Sequence, residues 1–345
     1  MVETRANTNV KARAFGAIGV VALGAFLVVL WDRQNPTNEP TANSAIAKTD
    51  APRARIRWGV YQIYWGAQRF EHFLDLAIDK FATSPDYVMF YRDLGRPFPA
   101  DGVDVIRKRG AIPSISMELW HWGHRAKGRT STRYLQKIND GEFDEYFESW
   151  ARDAKAEGGP VLLRFGFEFN GDWFSWSGDP EAYVKAWRRA HDIFQRIGAD
   201  NVQWVWAPNV TSVPDSPGNN MHLYYPGDKY VDWVAVDGYN WGDHHDEWHT
   251  WQSCQEIFEP VLAEFDRRYP SRPVMIAEFG CVEDTPGRKG QWMKDALAWL
   301  TNKTRVSAVI WFNLDKRREG EHDWRIDSTE ESLNAFNESF AAKRE

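Results

Sequence analysis

The chain has 345 residues, enough to bury a large core. It carries 49 acidic and 42 basic side chains, a formal net charge of -7. That balance speaks against nucleic acid as a partner, since such binders present a basic face. Its 19 Trp exceed what a core calls for, and many stand beside polar residues, where flat rings suit the apolar faces of sugars.

The amino end comes first. Residues Phe15 to Trp31 carry no charge; Arg5, Lys11 and Arg13 precede them, and Asp32 and Arg33 follow. The stretch is short for a membrane span and long for the apolar region of a signal peptide. Residues 1–34 are therefore read as a signal anchor or a signal peptide. The small-x-small site Ala45-Ile46-Ala47 lies far downstream, which favours the anchor. Positive flanks stay inside, so the remainder is expected outside, anchored to the membrane or secreted. Residues 35–54, rich in Pro, Asn, Thr and Ala, read as a flexible linker.

Residues 55–345 alternate short apolar runs with amphipathic segments. Strands are expected at Ile56–Tyr61, Tyr87–Tyr91, Ala111–Met117, Val161–Phe165, Val202–Trp206, Trp233–Asp237, Pro273–Ala277 and Ala308–Phe312. Helical periodicity predicts helices over Phe70–Phe81, Val103–Arg109, Phe143–Ala156, Pro180–Ile197, Gln255–Tyr269, Gly290–Thr301 and Glu330–Ala341. Asp179 is the expected N-cap of the fourth of these, Pro180 its first-turn residue and Gly198 its stop. After Trp206, several Pro, Gly and Asn read as loop, so the fifth unit is weak, as is the short second. The α/β pattern fits a (β/α)8 TIM barrel. A doubly wound sheet is the rival, but no glycine-rich turn follows the first strand.

Cys254 and Cys281 leave two readings open, a disulfide in an exported protein or two buried thiols. Their spacing is not that of a metal site. His121, His124, His244, His245 and His249 form a histidine-rich rim without an H-E-x-x-H helix, and no metal or cofactor is expected.

A barrel of this type collects its functional groups at the carboxyl ends of the strands. There the sequence places Glu118, Trp120 and His121 after the third strand, and Glu168 and Asn170 after the fourth. Asn209 follows the fifth, Tyr239 and Trp241 the sixth, Glu278 the seventh, and Trp311 ends the eighth. Two carboxylates across a cleft are the minimal equipment for hydrolysing a glycosidic bond. Their environments must differ, because one donates a proton while the other is ionised. Glu168 lies between Phe167 and Phe169, close to Trp173 and Trp176, an apolar setting suited to the acid. Glu278 needs donors, with Tyr239 and Arg164 as candidates. Asn170 and Asn209 are candidates to hold a sugar hydroxyl or an acid.

These segments resemble glycoside hydrolase family 26 over Arg55 to Phe340. Arg164-Phe-Gly-Phe-Glu-Phe-Asn-Gly-Asp-Trp-Phe-Ser-Trp176 is similar to the family's acid/base motif, Trp204-Val-Trp-Ala-Pro-Asn209 to its fifth strand, Val234-Ala-Val-Asp-Gly-Tyr-Asn-Trp241 to its sixth and Ile276-Ala-Glu-Phe-Gly280 to its seventh. The resemblance implies a retaining barrel enzyme with Glu168 as acid/base, Glu278 as nucleophile, Tyr239 touching the nucleophile, and Trp311 stacking on a sugar at the cleavage site. It also implies an endo-acting hydrolase of a β-linked polysaccharide, β-1,4-mannan first, with mixed-linkage β-1,3-1,4-glucan and β-1,3-xylan as alternatives. A further alternative is a non-hydrolytic polysaccharide binder in extracellular glycan assembly. One position departs: the family's mannanases place a histidine before the acid/base, and here it is Phe167. A monomeric catalytic domain is expected.

Overall fold

A computed structural model describes residues 56–121, 133–243, 245, 249–303 and 305–341. The expected anchor (1–34) and the whole of the linker (35–54), with Trp122, His124, His244 and Trp248, lie outside the described residues. Among the described residues no helix is long and apolar enough to cross a membrane.

Eight parallel strands close a barrel in sequential order, the first pairing with the last. They are β1 (Arg57–Tyr61), β2 (Tyr87–Asp93), β3 (Ile112–Glu118), β4 (Val161–Phe165), β5 (Val202–Trp206), β6 (Trp233–Asn240), β7 (Val274–Cys281) and β8 (Val306–Trp311). Every residue of β4 and β7 is buried, as befits strands covered on both faces. The surrounding helices are α1 (Ala67–Ile78), α2 (Ala100–Arg107), α3 (Arg133–Asp140), α4 (Asp144–Glu157), α5 (Pro180–Ile197), α6 (Cys254–Arg268), α7 (Arg288–Leu300) and α8 (Glu330–Ala341).

α5 forms where its end signals place it. The Asp179 side chain accepts from the Ala182 amide at 3.0 Å, and Gly198 ends the helix in the left-handed region at φ 77°. Its stripe of Tyr183, Trp187, Ala190 and Phe194 packs inward, with Trp187 against Phe165 and Trp204.

The stretch after β5 forms no α-helix, as its Pro, Gly and Asn content predicts, only short 3-10 turns at Pro217–Asn219, Met221–Tyr224 and Asp228–Tyr230. Two features depart from the sequence pattern. α3 is an additional short helix. β6 and β7 run past their expected ends, so Tyr239 and Glu278 belong to strands. Cys254 and Cys281 are free, buried thiols, which resolves the open alternative against a disulfide.

The register around Glu278 is irregular. Val236 pairs with Ile276, yet Asp237 pairs with Glu278, so Ala277 is an extra residue in β7. A bulge re-aims the side chains beyond it. Here it sets Glu278 beside Asp237 and two strand positions from Tyr239.

Candidate active site

β4 delivers the first carboxyl group through an unusual backbone. Gly166 and Glu168 both have positive φ, 56° and 50°. At Gly166 a Cβ would come within 2.7 Å of Leu119 Cδ1. At Glu168 a side chain is present regardless, at a cost of about 1–3 kcal/mol. Two backbone bonds hold the turn: the Glu168 amide donates to the Ala207 carbonyl at 2.8 Å, and its carbonyl accepts from the Gly171 amide at 3.0 Å. Strain of this kind aims a side chain where regular strand geometry would not.

The Glu168 carboxyl accepts from Asn209 Nδ2 and Trp173 Nε1, both at 2.8 Å. Burial, then the negative charge of Glu278, raise its pKa to about 7, although both hydrogen bonds and Arg164 pull it back. Near neutrality this group holds a proton for part of the time.

Glu278 has the opposite setting. Its Oε1 accepts from Arg164 Nη1 at 2.7 Å and from the Tyr91 hydroxyl at 2.8 Å. Its Oε2 accepts from the Tyr239 hydroxyl at 2.6 Å. Burial and the charge of Glu278 keep both tyrosines well above their usual pKa, so both remain donors. Three donors, one of them cationic, thus converge on this carboxylate.

Arg164 ties the floor together. It is fully buried, donates to Ser116 Oγ at 2.9 Å, and pairs with both Glu278 and Asp237. Burial opposes its charge, and the carboxylates of Asp237 and Glu278 more than offset that. Asp237 is also fully buried; burial and the charges of Glu278 and Glu168 push its pKa well up against the pull of Arg164. Two buried carboxyl groups, those of Asp237 and Glu278, thus share one guanidinium.

Trp173, exposed, and Trp241, half-buried, stand at the rim. Phe167 lies flat on Tyr91, centroids 5.3 Å apart, with the Arg164 guanidinium 4.9 Å from its ring. Where a histidine would offer a ring nitrogen, Phe167 offers only a face. Asn209 holds Glu168, and Asn170 holds Asn209: its Oδ1 accepts from the Asn209 amide and its Nδ2 donates to the Asn209 carbonyl. Glu118 is buried at the end of β3, in register with Asp93. His121 packs on Tyr134 of α3 and on Phe143.

Three tryptophans correct the sequence reading. Trp176 is fully buried, stacked on Phe174 at 4.3 Å, and donates to the Phe167 carbonyl; it braces the Phe167 turn and presents no face to a sugar. Trp120 packs edge-on against Phe174 and Trp176. Trp311 points away from the cleft, against Phe279 and Trp292 of α7, only 2% exposed. Strand alternation gives the opposite direction to its neighbour Phe312, which stacks on Tyr61 at 4.8 Å and meets Tyr239 edge-on.

Tyr91, Phe312 and Trp324 were not singled out from the sequence. Alternation was the available signal for the first, since Tyr91 stands two before Asp93. Trp324, packed 4.9 Å from Tyr239, comes from a loop with no comparable signal. Among the described residues no group of His, Cys, Asp and Glu is arranged to hold a metal ion.

Residues 129–267 match the family model described as Glycosyl hydrolase family 26. The chain is 34% identical over 250 residues to Endoglucanase H of Acetivibrio thermocellus, an alignment covering 69% of this chain and 25% of that protein. It is 33% identical over 213 residues to Mannan endo-1,4-beta-mannosidase A and B of Caldalkalibacillus mannanilyticus, covering 53% and 38%. The chain thus spans well under half the length of these curated relatives. A family 26 β-mannanase structure from Bacteroides ovatus superimposes with a TM-score of 0.59 at 18% identity, covering 84% of this chain and 88% of that one. A modular endo-β-1,4-mannanase from Cellulomonas fimi gives 0.60 at 16%, covering 83% and 70%; both show the shared fold. By its family-model match and the sequence similarity of these relatives, the chain belongs to glycoside hydrolase family 26.

Proposed function

We propose that the barrel is an endo-acting retaining β-glycoside hydrolase, with Glu168 as acid/base and Glu278 as nucleophile. The observation that carries this reading is the contrast between the two carboxyl groups. Glu168 is buried with a pKa near 7, while Glu278 is surrounded by three donors. In the first step Glu278 attacks the anomeric carbon as Glu168 protonates the departing oxygen. A covalent glycosyl-enzyme forms. Glu168, now ionised, takes a proton from water as that water attacks the anomeric carbon and releases Glu278. Tyr239, Tyr91 and Arg164 orient Glu278 through both half-reactions; Asn209 and Trp173 orient Glu168.

The substrate is a neutral β-linked polysaccharide, with β-1,4-mannan as the first reading. Mixed-linkage β-glucan is the second, favoured by Phe167 in place of the mannanase histidine and by similarity to a protein named Endoglucanase H. Trp173 and Trp241 are the rim rings for sugar contact, with Glu118 and Asn209 nearby in the strand-end layer. Residues 1–34 serve as an anchor or signal and 35–54 as a tether, placing a monomeric barrel outside the membrane where such polymers lie.

Reducing-sugar release from mannan, mixed-linkage β-glucan and β-1,3-xylan tests the activity, and product sizes test endo action. Glu278→Ala should abolish turnover with the circular-dichroism spectrum unchanged; near-full activity in that variant would sink the assignment. Wild-type protein that binds one of these glycans and cleaves none would establish the non-hydrolytic alternative.

A further inference from the structure

The connection between β8 and α8 is tied down at four successive backbone carbonyls. The carbonyl of Asp323 accepts from Lys289 Nζ at 3.2 Å, that of Trp324 from Trp311 Nε1 at 2.7 Å, that of Arg325 again from Lys289 Nζ at 2.5 Å, and that of Ile326 from Ser332 Oγ at 2.6 Å. The amides join in: Trp324 donates to the Leu314 carbonyl and Ile326 to Asn313 Oδ1. A loop held this completely presents its side chain in one place. That side chain is Trp324, packed against Tyr239 at 4.9 Å and Trp241 at 4.8 Å. Gly280, two residues past Glu278, makes the fit possible, since a Cβ there would come within 3.1 Å of Trp324 Cε3 and 3.3 Å of Tyr239 Cδ1.

Lys289 is the costly part of this arrangement. It is fully buried, and its three protons go to two carbonyls and Ser328 Oγ. It stands in the first turn of α7, where the helix dipole disfavours a cation. Burial lowers its pKa to about 8, so the ammonium does not sit there for its own stability. Its contacts lead through the Trp324 loop to Tyr239, and from Tyr239 to Glu278.

We propose that Lys289 is a positioning residue for the nucleophile: by fixing the β8–α8 connection it seats Trp324 behind Tyr239 and so holds the Tyr239 hydroxyl on Glu278. This rests on the hydrolase reading above only in naming Glu278 the nucleophile.

The test is a double-mutant cycle with Lys289→Met and Trp324→Phe, assayed on whichever β-glycan the wild type cleaves. The expected result is a kcat loss of about tenfold or more in Lys289→Met with KM within about twofold, and little further loss when Trp324→Phe is already present. A folded Lys289→Met with wild-type kcat, or losses that simply multiply, would overturn the proposal. If Lys289→Met fails to fold, Trp311→Phe and Ser332→Ala each remove one carbonyl donor from the same loop. Both should lower kcat in the same sense, and unchanged kcat in both would equally overturn it. Hydrogen exchange at the Trp324 and Ile326 amides separates the two readings. Wild-type protein that cleaves no glycan defeats the hydrolase assignment alone; the loop is still read by exchange, which should accelerate in the Lys289→Met or Ser332→Ala protein. Exchange equal to wild type would refute the loop's dependence on these donors.

Discussion

Glu168 concentrates the chemistry at one residue, and its raised pKa has two consequences of opposite kind. For activity, the acid role proposed for Glu168 requires it to be protonated when the glycan binds, so kcat/KM should fall as pH rises through about 7. Glu168→Gln should remove that limb, and aryl glycosides with good leaving groups should lose much less activity in it than polysaccharide does. For stability, the folded state holds a proton between about pH 4.5 and 7 that the unfolded chain has released. Unfolding free energy therefore declines as pH rises through that window, by up to about 3 kcal/mol for a shift of this size. Urea titrations of wild type and Glu168→Gln at pH 5 and at pH 8 check this: the variant should gain relative stability at the higher pH, and parallel behaviour at both would refute the burial argument. The apolar neighbours Phe167 and Phe169 made the direction of this shift legible in the sequence. The positive φ and the Asn209 donor were not, because Asn209 meets Glu168 only after β4 and β5 are side by side.

At the scale of elements, the strand ends are coupled by one buried amide. Asn170 after β4 donates to the carbonyls of Asn209 and Thr211 and to Ser212 Oγ, and accepts from the Asn209 amide. It was expected to face a sugar or an acid, yet it is fully buried and faces backbone. Asn170→Ala would leave several of these groups unpaired, costing about 2–4 kcal/mol. It should also loosen Asn209 and weaken a hydrogen bond that lowers the Glu168 pKa. The expected signature is a lower Tm together with an alkaline activity limb shifted upward; Asn209→Ala should shift the limb with a smaller change in Tm. A Tm loss in Asn170→Ala with the limb unmoved would restrict Asn170 to a structural role. The order of strands and the placement of Glu168 and Glu278 at the carboxyl end followed from apolar runs alone. What alternation by itself could not give was the bulge at Ala277, which depends on pairing with β6 and decides what stands beside Glu278.

Across the whole molecule, the tryptophans and the charge divide the work of recognition differently from what composition suggested. The large number of indoles pointed to sugar stacking, but Trp58, Trp150, Trp176, Trp187, Trp204, Trp206, Trp311 and Trp324 are essentially inaccessible. Most of this aromatic surface packs the layer between barrel and helices, because a wide closed barrel needs bulky side chains on both faces of each strand. In the proposed hydrolase, sugar contact among the described residues is then assigned to rim rings such as Trp173 and Trp241, and selectivity partly to the long-range field. A net charge of -7 does not attract a neutral glycan and repels an anionic one. KM for a neutral β-glycan should therefore change less than about twofold between about 0.05 and 0.5 M NaCl, since no charge is screened on binding. A carboxymethylated form of the same polysaccharide, at low substitution, should show a higher KM at the low-salt end that falls as salt is added. Initial rates across both salt series measure this directly. A neutral-glycan KM that rises steeply with salt would mean that ionic contacts hold the substrate, and would place recognition outside the aromatic rim.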